Sequence, residues 1–86
     1  MHLALHKNFV KAFAKLEPHE QKKFRERRKL FLDDPFHPLL NNHVLHGEFA
    51  GLRCLNITGD LRVIYQQIDE QTIEFLLIDT HSNLYG

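Results

Sequence analysis

Residues 51–79, GLRCLNITGDLRVIYQQIDEQTIEFLLID, decide the fold. In GLRCLNI the apolar residues divide by parity, Leu52 and Cys54 to one face and Leu55 and Ile57 to the other, which is the period of a strand. TGD has the residues of a tight turn, and LRVIYQQI follows as a second strand. DEQ makes a second turn, and TIEFLLID is a third strand. Leu76, Leu77 and Ile78 make that last run apolar on both faces, as expected of a central strand. Three strands joined by two short turns form an antiparallel meander.

Toward the N-terminus, HLAL alternates and reads as a short strand with Leu3 and Leu5 on one side. Asn8 is the expected cap of a helix in which Phe9, Phe13 and Leu16 follow at i, i+4 and i+7. EPHE restarts a helix: Pro18 suits the first helical position, and Glu20 lies where the dipole favours an acid. Phe24 and Phe31, seven apart, mark one narrow apolar stripe, and DDPFHP ends the helix because a residue before proline avoids the α region. Residues 34–50 read as a loop holding two prolines, two asparagines and three histidines. The expectation is one α+β domain over residues 1–86: a short N-terminal strand, a helical hairpin, then an antiparallel meander sheet with one open face.

The hydrophobic share of 43% is that of a folded domain, which excludes a disordered chain. One cysteine, Cys54, excludes an internal disulfide and fits a reducing compartment. The start lacks the pattern of a signal peptide, and no run approaches the roughly 20 apolar residues of a membrane span. The expected location is the cytoplasm. Net charge is zero, but its distribution is lopsided. Residues 1–32 hold nine Lys/Arg against three acids, net +6, and residues 33–86 hold two against eight, net −6. A basic half of this kind suits a polyanionic partner, with a solvated helix face as the plainer reading.

The loop, first turn and tail carry His43, His46, Asn56, Asp60, Arg62, His81 and Tyr85. A meander brings strand ends and turns together. Cutting RNA without a metal requires a base for the 2′-hydroxyl, an acid for the leaving 5′-oxygen and a cation for the phosphate. Histidine suits both proton roles, and arginine grips phosphate with a planar fork. An aromatic ring can stack a splayed base. Each residue also has a plainer reading: His81 as a strand end, Tyr85 as a core cover, Arg62 paired with Asp60, and His43 as a solvated loop residue. His37, His43 and His46 with Asp33 or Asp34 offer metal-ligand types, yet HExxH, a cysteine pair and regular ligand spacing are all missing from the sequence.

HVLHGEFAGLRCLNITGDLRVIY (residues 43–65) followed by IDTHSNLYG (residues 78–86) resembles the RelE/ParE toxin superfamily of type II toxin–antitoxin systems, and within it the YafQ-like branch. The shared pattern is a loop histidine before L-x-G, a strand, a D-x-R-[VL]-I-Y strand and a terminal TH..L[YF]G. Over residues 1–35 the likeness is architectural only. The resemblance implies a ribosome-dependent, metal-independent endoribonuclease that needs no cofactor and cuts translated mRNA at the ribosomal A site. It implies proton transfer or positioning by His43, support by Asp60, protonation of the leaving oxygen by His81 and stacking or orientation by Tyr85. It implies phosphate or RNA contact by Arg62, with Arg53 and Asn56 beside it and Lys22, Arg25 and Arg28 meeting ribosomal RNA. A small acidic antitoxin protein is the implied neutralising partner, covering the basic helices or the tail.

Two positions depart from the pattern. Asn56 stands where the YafQ-like branch has a further histidine, and Asp79 stands where many relatives have glycine. Asparagine cannot titrate, and Asp79 adds a negative charge two residues from His81. These departures give weight to one alternative, an inactive relative serving as binding partner or co-repressor; the other is a non-enzymatic gyrase poison like the ParE branch, which shares the fold and against which the terminal His–Tyr pair argues.

Overall fold

The computed structural model describes residues 1–85; Gly86, the last residue of the terminal motif, lies outside them. In chain order the elements are β1 (His2–Leu5), α1 (Lys7–Ala14), α2 (Pro18–Asp33), β2 (His43–Val44), β3 (Arg53–Asn56), β4 (Leu61–Asp69), β5 (Thr72–Thr80) and α3 (His81–Tyr85). The sheet order is β1-β5-β4-β3-β2. The meander β3–β4–β5 is antiparallel as expected, whereas β1 joins β5 in parallel, so the five-stranded sheet is mixed.

Several local expectations change. The cap of α1 is His6, whose Nδ1 accepts the N–H of Asn8 at 3.0 Å. His6 itself still donates its N–H to the Phe75 carbonyl at 2.9 Å, so the sheet carries the chain to the residue where the helix begins. Leu3 packs on the core, but Leu5, the last residue of β1, is exposed. Residues 34–50 are not all loop: β2 pairs with β3 as a fifth strand, and single 3-10 turns lie at Pro38–Leu40 and Gly47–Phe49. The tail after Thr80 is a helical turn.

α2 begins as read, with Pro18 in the first turn and the Glu20 side chain accepting the Glu17 N–H at 3.0 Å. Both helices pack on one face of the sheet. Phe9, Phe24, Phe31, Tyr65 and Phe75 interlock there, with ring centroids 5.3–6.0 Å apart. Such tilted pairs contribute about 0.5–1.5 kcal/mol each beyond their burial. A bulge in β5 makes this possible. Ile64 pairs with Leu77 and Tyr65 with Phe75, so Leu76 is the extra residue. Phe75 and Ile78, three apart, thereby both reach the helix-side core.

Among the described residues no long helix covers the other face. A small apolar cluster sits on it, built from Leu45, Cys54 and Ile64 and flanked by Phe49, Leu52, Leu77 and Leu84. The parity reading of GLRCLNI holds: Leu52 and Cys54 belong to this cluster, and Leu55 and Ile57 to the main core. Among the described residues no helix is long and apolar enough to cross a membrane.

Candidate active site

Parity along the strands selects which polar side chains join the smaller cluster. On β3, Cys54 points to this face, and so does Asn56 two residues on. Asn56 pairs with Arg62 in the β3–β4 register, and Arg62 precedes Ile64 by two. These side chains floor a cleft of about 350 Å³. One wall is the segment before β3, with Asn41, His43 and Leu45; the other is α3, with His81 and Tyr85.

Each wall is fixed locally. Asn41 adopts φ 45°, a left-handed turn that asparagine tolerates, and its carbonyl lies 2.7 Å from His43 Nδ1. A carbonyl only accepts, so Nδ1 is the donor in this contact, and in the neutral ring Nε2 is the nitrogen that bears the lone pair. On the other side, the His81 N–H donates to the Asp60 carbonyl at 2.9 Å, which anchors α3 to the β3–β4 turn. Thr80 Oγ1 accepts the Asn83 N–H at 3.2 Å. The Asp79 carboxylate accepts the Thr80 N–H at 2.8 Å and the Asn83 side-chain amide at 2.9 Å. One turn of helix places His81 and Tyr85 on one side, their ring centroids 4.8 Å apart. Tyr85 also meets Phe49 edge-on at 6.1 Å.

Two polar atoms of the cleft are left over. Arg62 Nη1 and Asn56 Oδ1 are both shielded from solvent and have no hydrogen-bond partner among the described residues. Unpartnered buried polar atoms are rare in folded proteins, and a guanidinium nitrogen so placed suits an incoming anion. Burial pushes the Tyr85 phenol up to about 12, helped by the neighbouring Cys54 thiol and partly opposed by Arg62. Tyr85 is therefore a neutral donor throughout the physiological range. Burial likewise raises the Cys54 thiol, against the lowering pull of Tyr85 and Arg62, which favours the neutral thiol over the thiolate.

The structure thus gathers His43, Asn56, Arg62, His81 and Tyr85 and leaves the other expected site residues elsewhere. The side chain of Asp60 is exposed and outside the cleft walls; its contribution is the backbone carbonyl under His81. Arg53 lies on the helix side of β3. Its Nε donates to Asn42 Oδ1 at 2.8 Å and its guanidinium stacks on Phe36 at 5.4 Å, which makes it a structural tie. Lys22, Arg25 and Arg28 are exposed on α2, across the sheet from the cleft. Arg25 and Arg28 lean on the rings of Phe13 and Phe24. Asp79 turns away from His81 to brace α3. The sequence reading did not single out Asn41, Leu45 or Cys54 as cleft residues; for Cys54 the parity that groups it with Asn56 was the available signal. Among the described residues no three His, Cys, Asp or Glu side chains cluster as a metal site would need.

Comparison with known proteins follows the same lines. Among solved structures, YafQ from E. coli superposes with a TM-score of 0.82 at 19% identity, over 98% of this chain and 97% of that one. The E. coli DinJ–YafQ toxin–antitoxin complex gives 0.78 at 19% identity, over 98% and 96%. A YoeB/ParE toxin from Agrobacterium tumefaciens gives 0.76 at 20% identity, over 94% and 99%. At these identities the likeness establishes a common fold. A sequence search among curated proteins gives no significant match. The family model described as the bacterial toxin of the type II toxin–antitoxin system, YafQ, matches residues 1–86, so the chain belongs to the YafQ family of bacterial type II toxins.

Proposed function

We propose that this toxin is a metal-independent endoribonuclease that cuts mRNA during translation, and that His43, Arg62 and His81 carry the reaction. The observation that supports this most is the convergence of two histidines, from chain segments far apart in sequence, around an arginine whose Nη1 has no partner. In this reading His43 Nε2 takes the proton of the 2′-hydroxyl. The freed oxygen attacks the adjacent phosphorus, and the P–O5′ bond breaks. Protonated His81 supplies the proton that the departing 5′-oxygen needs. The products are a 2′,3′-cyclic phosphate and a 5′-hydroxyl. Arg62 stabilises the extra charge on the phosphoryl oxygens, and Asn56 Oδ1 is free to accept from a ribose hydroxyl or a base. Tyr85, packed between His81 and Phe49, holds the His81 ring and offers its phenolic proton.

The cleft is open and small, which suits a substrate presented in fixed geometry by the ribosomal A site. The solved DinJ–YafQ complex supports a cognate antitoxin for this chain too, a small acidic protein covering the basic helices or the tail. Ribosome and mRNA place the site of action in the cytoplasm. The test is a reconstituted translation reaction with mapped mRNA ends. The wild-type protein is expected to cut translated mRNA, and His81→Ala to lose about 10²–10⁴-fold in rate. Identical cleavage by wild type and His81→Ala would overturn the assignment. Inhibition of gyrase supercoiling without mRNA cutting would replace it with the ParE-like alternative.

A further inference from the structure

α3 is a ridge with a depression on each side. His81 and Tyr85 face the cleft already described. Asn83 lies halfway round the turn and faces a second groove of about 420 Å³, whose opposite wall is α1. That wall presents Asn8, Lys11 and Lys15, and Ile78 and Asp79 form the floor. Lys11 and Lys15 are exposed and four residues apart, so their side chains stand side by side, with Cβ atoms about 5–6 Å apart on a helix surface. Lys7 continues the same row.

We propose that this groove is a second binding site for the sugar–phosphate backbone of single-stranded RNA, with Lys11 and Lys15 each neutralising one phosphate of a strand that crosses α3 from the cleft. The inference rests on the ribonuclease reading of the cleft and extends it. Three observations carry it. First, the two depressions share α3, with His81 and Tyr85 lining the cleft and Asn83 lining the groove, so a strand leaving the cleft over that helix enters the groove. Second, neither lysine has a carboxylate within ion-pair distance among the described residues; the ion pair there is Lys23 with Glu26 on α2. Third, the one acid in the groove, Asp79, already accepts the N–H of Thr80 and the amide of Asn83, which turns its carboxylate toward α3. Asn8 and Asn83 add uncharged donors along the same path. The basic residues of α2 lack this placement: they lie farther round the helical layer, and Arg25 and Arg28 rest on aromatic rings.

The experiment measures binding of 2′-O-methyl RNA, which cannot be cleaved, to the purified protein by fluorescence anisotropy over a range of salt. A dinucleotide fills the cleft alone, and an octanucleotide reaches both sites. K11A/K15A should weaken octanucleotide binding about tenfold at low salt and reduce the slope of log K against log salt by about 0.7 for each lost phosphate contact. Dinucleotide binding should not change, and the α2 control K23A/K29A, which removes the same charge from residues with no assigned RNA contact, should behave as wild type. Arg62→Ala should weaken both oligonucleotides. Unchanged octanucleotide binding by K11A/K15A, with Arg62→Ala still defective, overturns the groove and leaves the cleft standing. Loss in K11A/K15A with none in Arg62→Ala supports the groove and sinks the ribonuclease reading of the cleft. If K11A/K15A loses affinity for an acidic peptide but not for the octanucleotide, the surface serves a protein partner and the RNA assignment is wrong. All these side chains are exposed or half-exposed, so a circular-dichroism melt should show each variant folded.

Discussion

Individual side chains in this toxin take their roles from what lies beside them, not from their type. Arg53 and Arg62 show this most directly. They sit on neighbouring strands, but Arg53 is tied to Asn42 and stacked on Phe36, whereas Arg62 lines the cleft and its shielded Nη1 has no partner among the described residues. Asn42 also donates to the Tyr65 hydroxyl at 2.8 Å and to the Pro35 carbonyl at 3.0 Å. Arg53→Ala should therefore cost about 1.5–3 kcal/mol of stability, the range for a hydrogen bond to a charged group. Urea unfolding measures that loss, and mRNA cleavage per folded molecule should stay at the wild-type level. The two tyrosines make a second prediction at this scale. Burial is the main cause that raises both phenols above the ordinary value of 10.0, Tyr85 to about 12. A raised folded-state value means that the neutral form favours the fold. This contribution is complete below pH 10 and fades as pH climbs toward 12. Phenolate absorbance should show little ionisation near pH 10 in the folded protein, and Tyr85→Phe should flatten the fall in melting temperature over that window.

Among the elements, α3 matters out of proportion to its five residues. So short a helix has no stability of its own, because nucleation alone fixes several dihedrals for one hydrogen bond. It forms here because Asp60 anchors its first N–H, Asp79 and Thr80 brace Asn83, and Leu84 packs beside Leu45, Cys54 and Ile64. The glycine expected at position 79 from the resemblance could supply no such brace. Asp79→Ala should loosen His81 and Tyr85 and lower the cleavage rate about 10- to 100-fold, the scale on which small misplacements act. Thermal stability should barely change, because Asp79 belongs to neither apolar cluster. Single-turnover cleavage beside a melting curve separates the two effects, and Asp79→Asn, which keeps an acceptor oxygen, should recover much of the rate.

For the molecule as a whole, one aromatic core supports both the fold and the geometry of the site. A domain of this size has a stability of roughly 4–13 kcal/mol at 0.05–0.15 kcal/mol per residue. Phe75 is fully buried and touches Phe9, Phe24, Phe31 and Tyr65. Phe75→Ala should cost about 3–5 kcal/mol, enough to leave much of the population unfolded at moderate denaturant, as a shifted urea midpoint would show. The charge asymmetry also takes on meaning at this scale. The basic first third of the chain becomes the helical layer on one side of the sheet, and the acidic remainder supplies most of the sheet and its turns. Binding to polyanions through that layer should weaken steeply with salt even though the net charge is zero.

The amino-acid sequence by itself determined the meander, the two helices with their Phe24–Phe31 stripe, and the division of Leu52 and Cys54 from Leu55 and Ile57. Those features follow from periodicity and turn chemistry, which act between near neighbours. It also carried the terminal histidine–tyrosine pair and the loop histidine. Only the tertiary structure decided which polar residues meet. The parity of β3 sends Arg53 to the helix side and Asn56 to the cleft, and a single bulge at Leu76 sets which face Phe75 and Ile78 occupy. Pairing of β1 with β5 joins His2 to Thr72, 70 residues on, and no local pattern encodes a partner at that distance; β2 pairs with β3 across a loop, and its two residues are too few to show a strand period. The sequence offered Asp60 as an acid supporting the site and Asp79 as a charge two residues from His81, and the folded chain uses the carbonyl of the first and the carboxylate of the second to hold the helix on which that histidine stands.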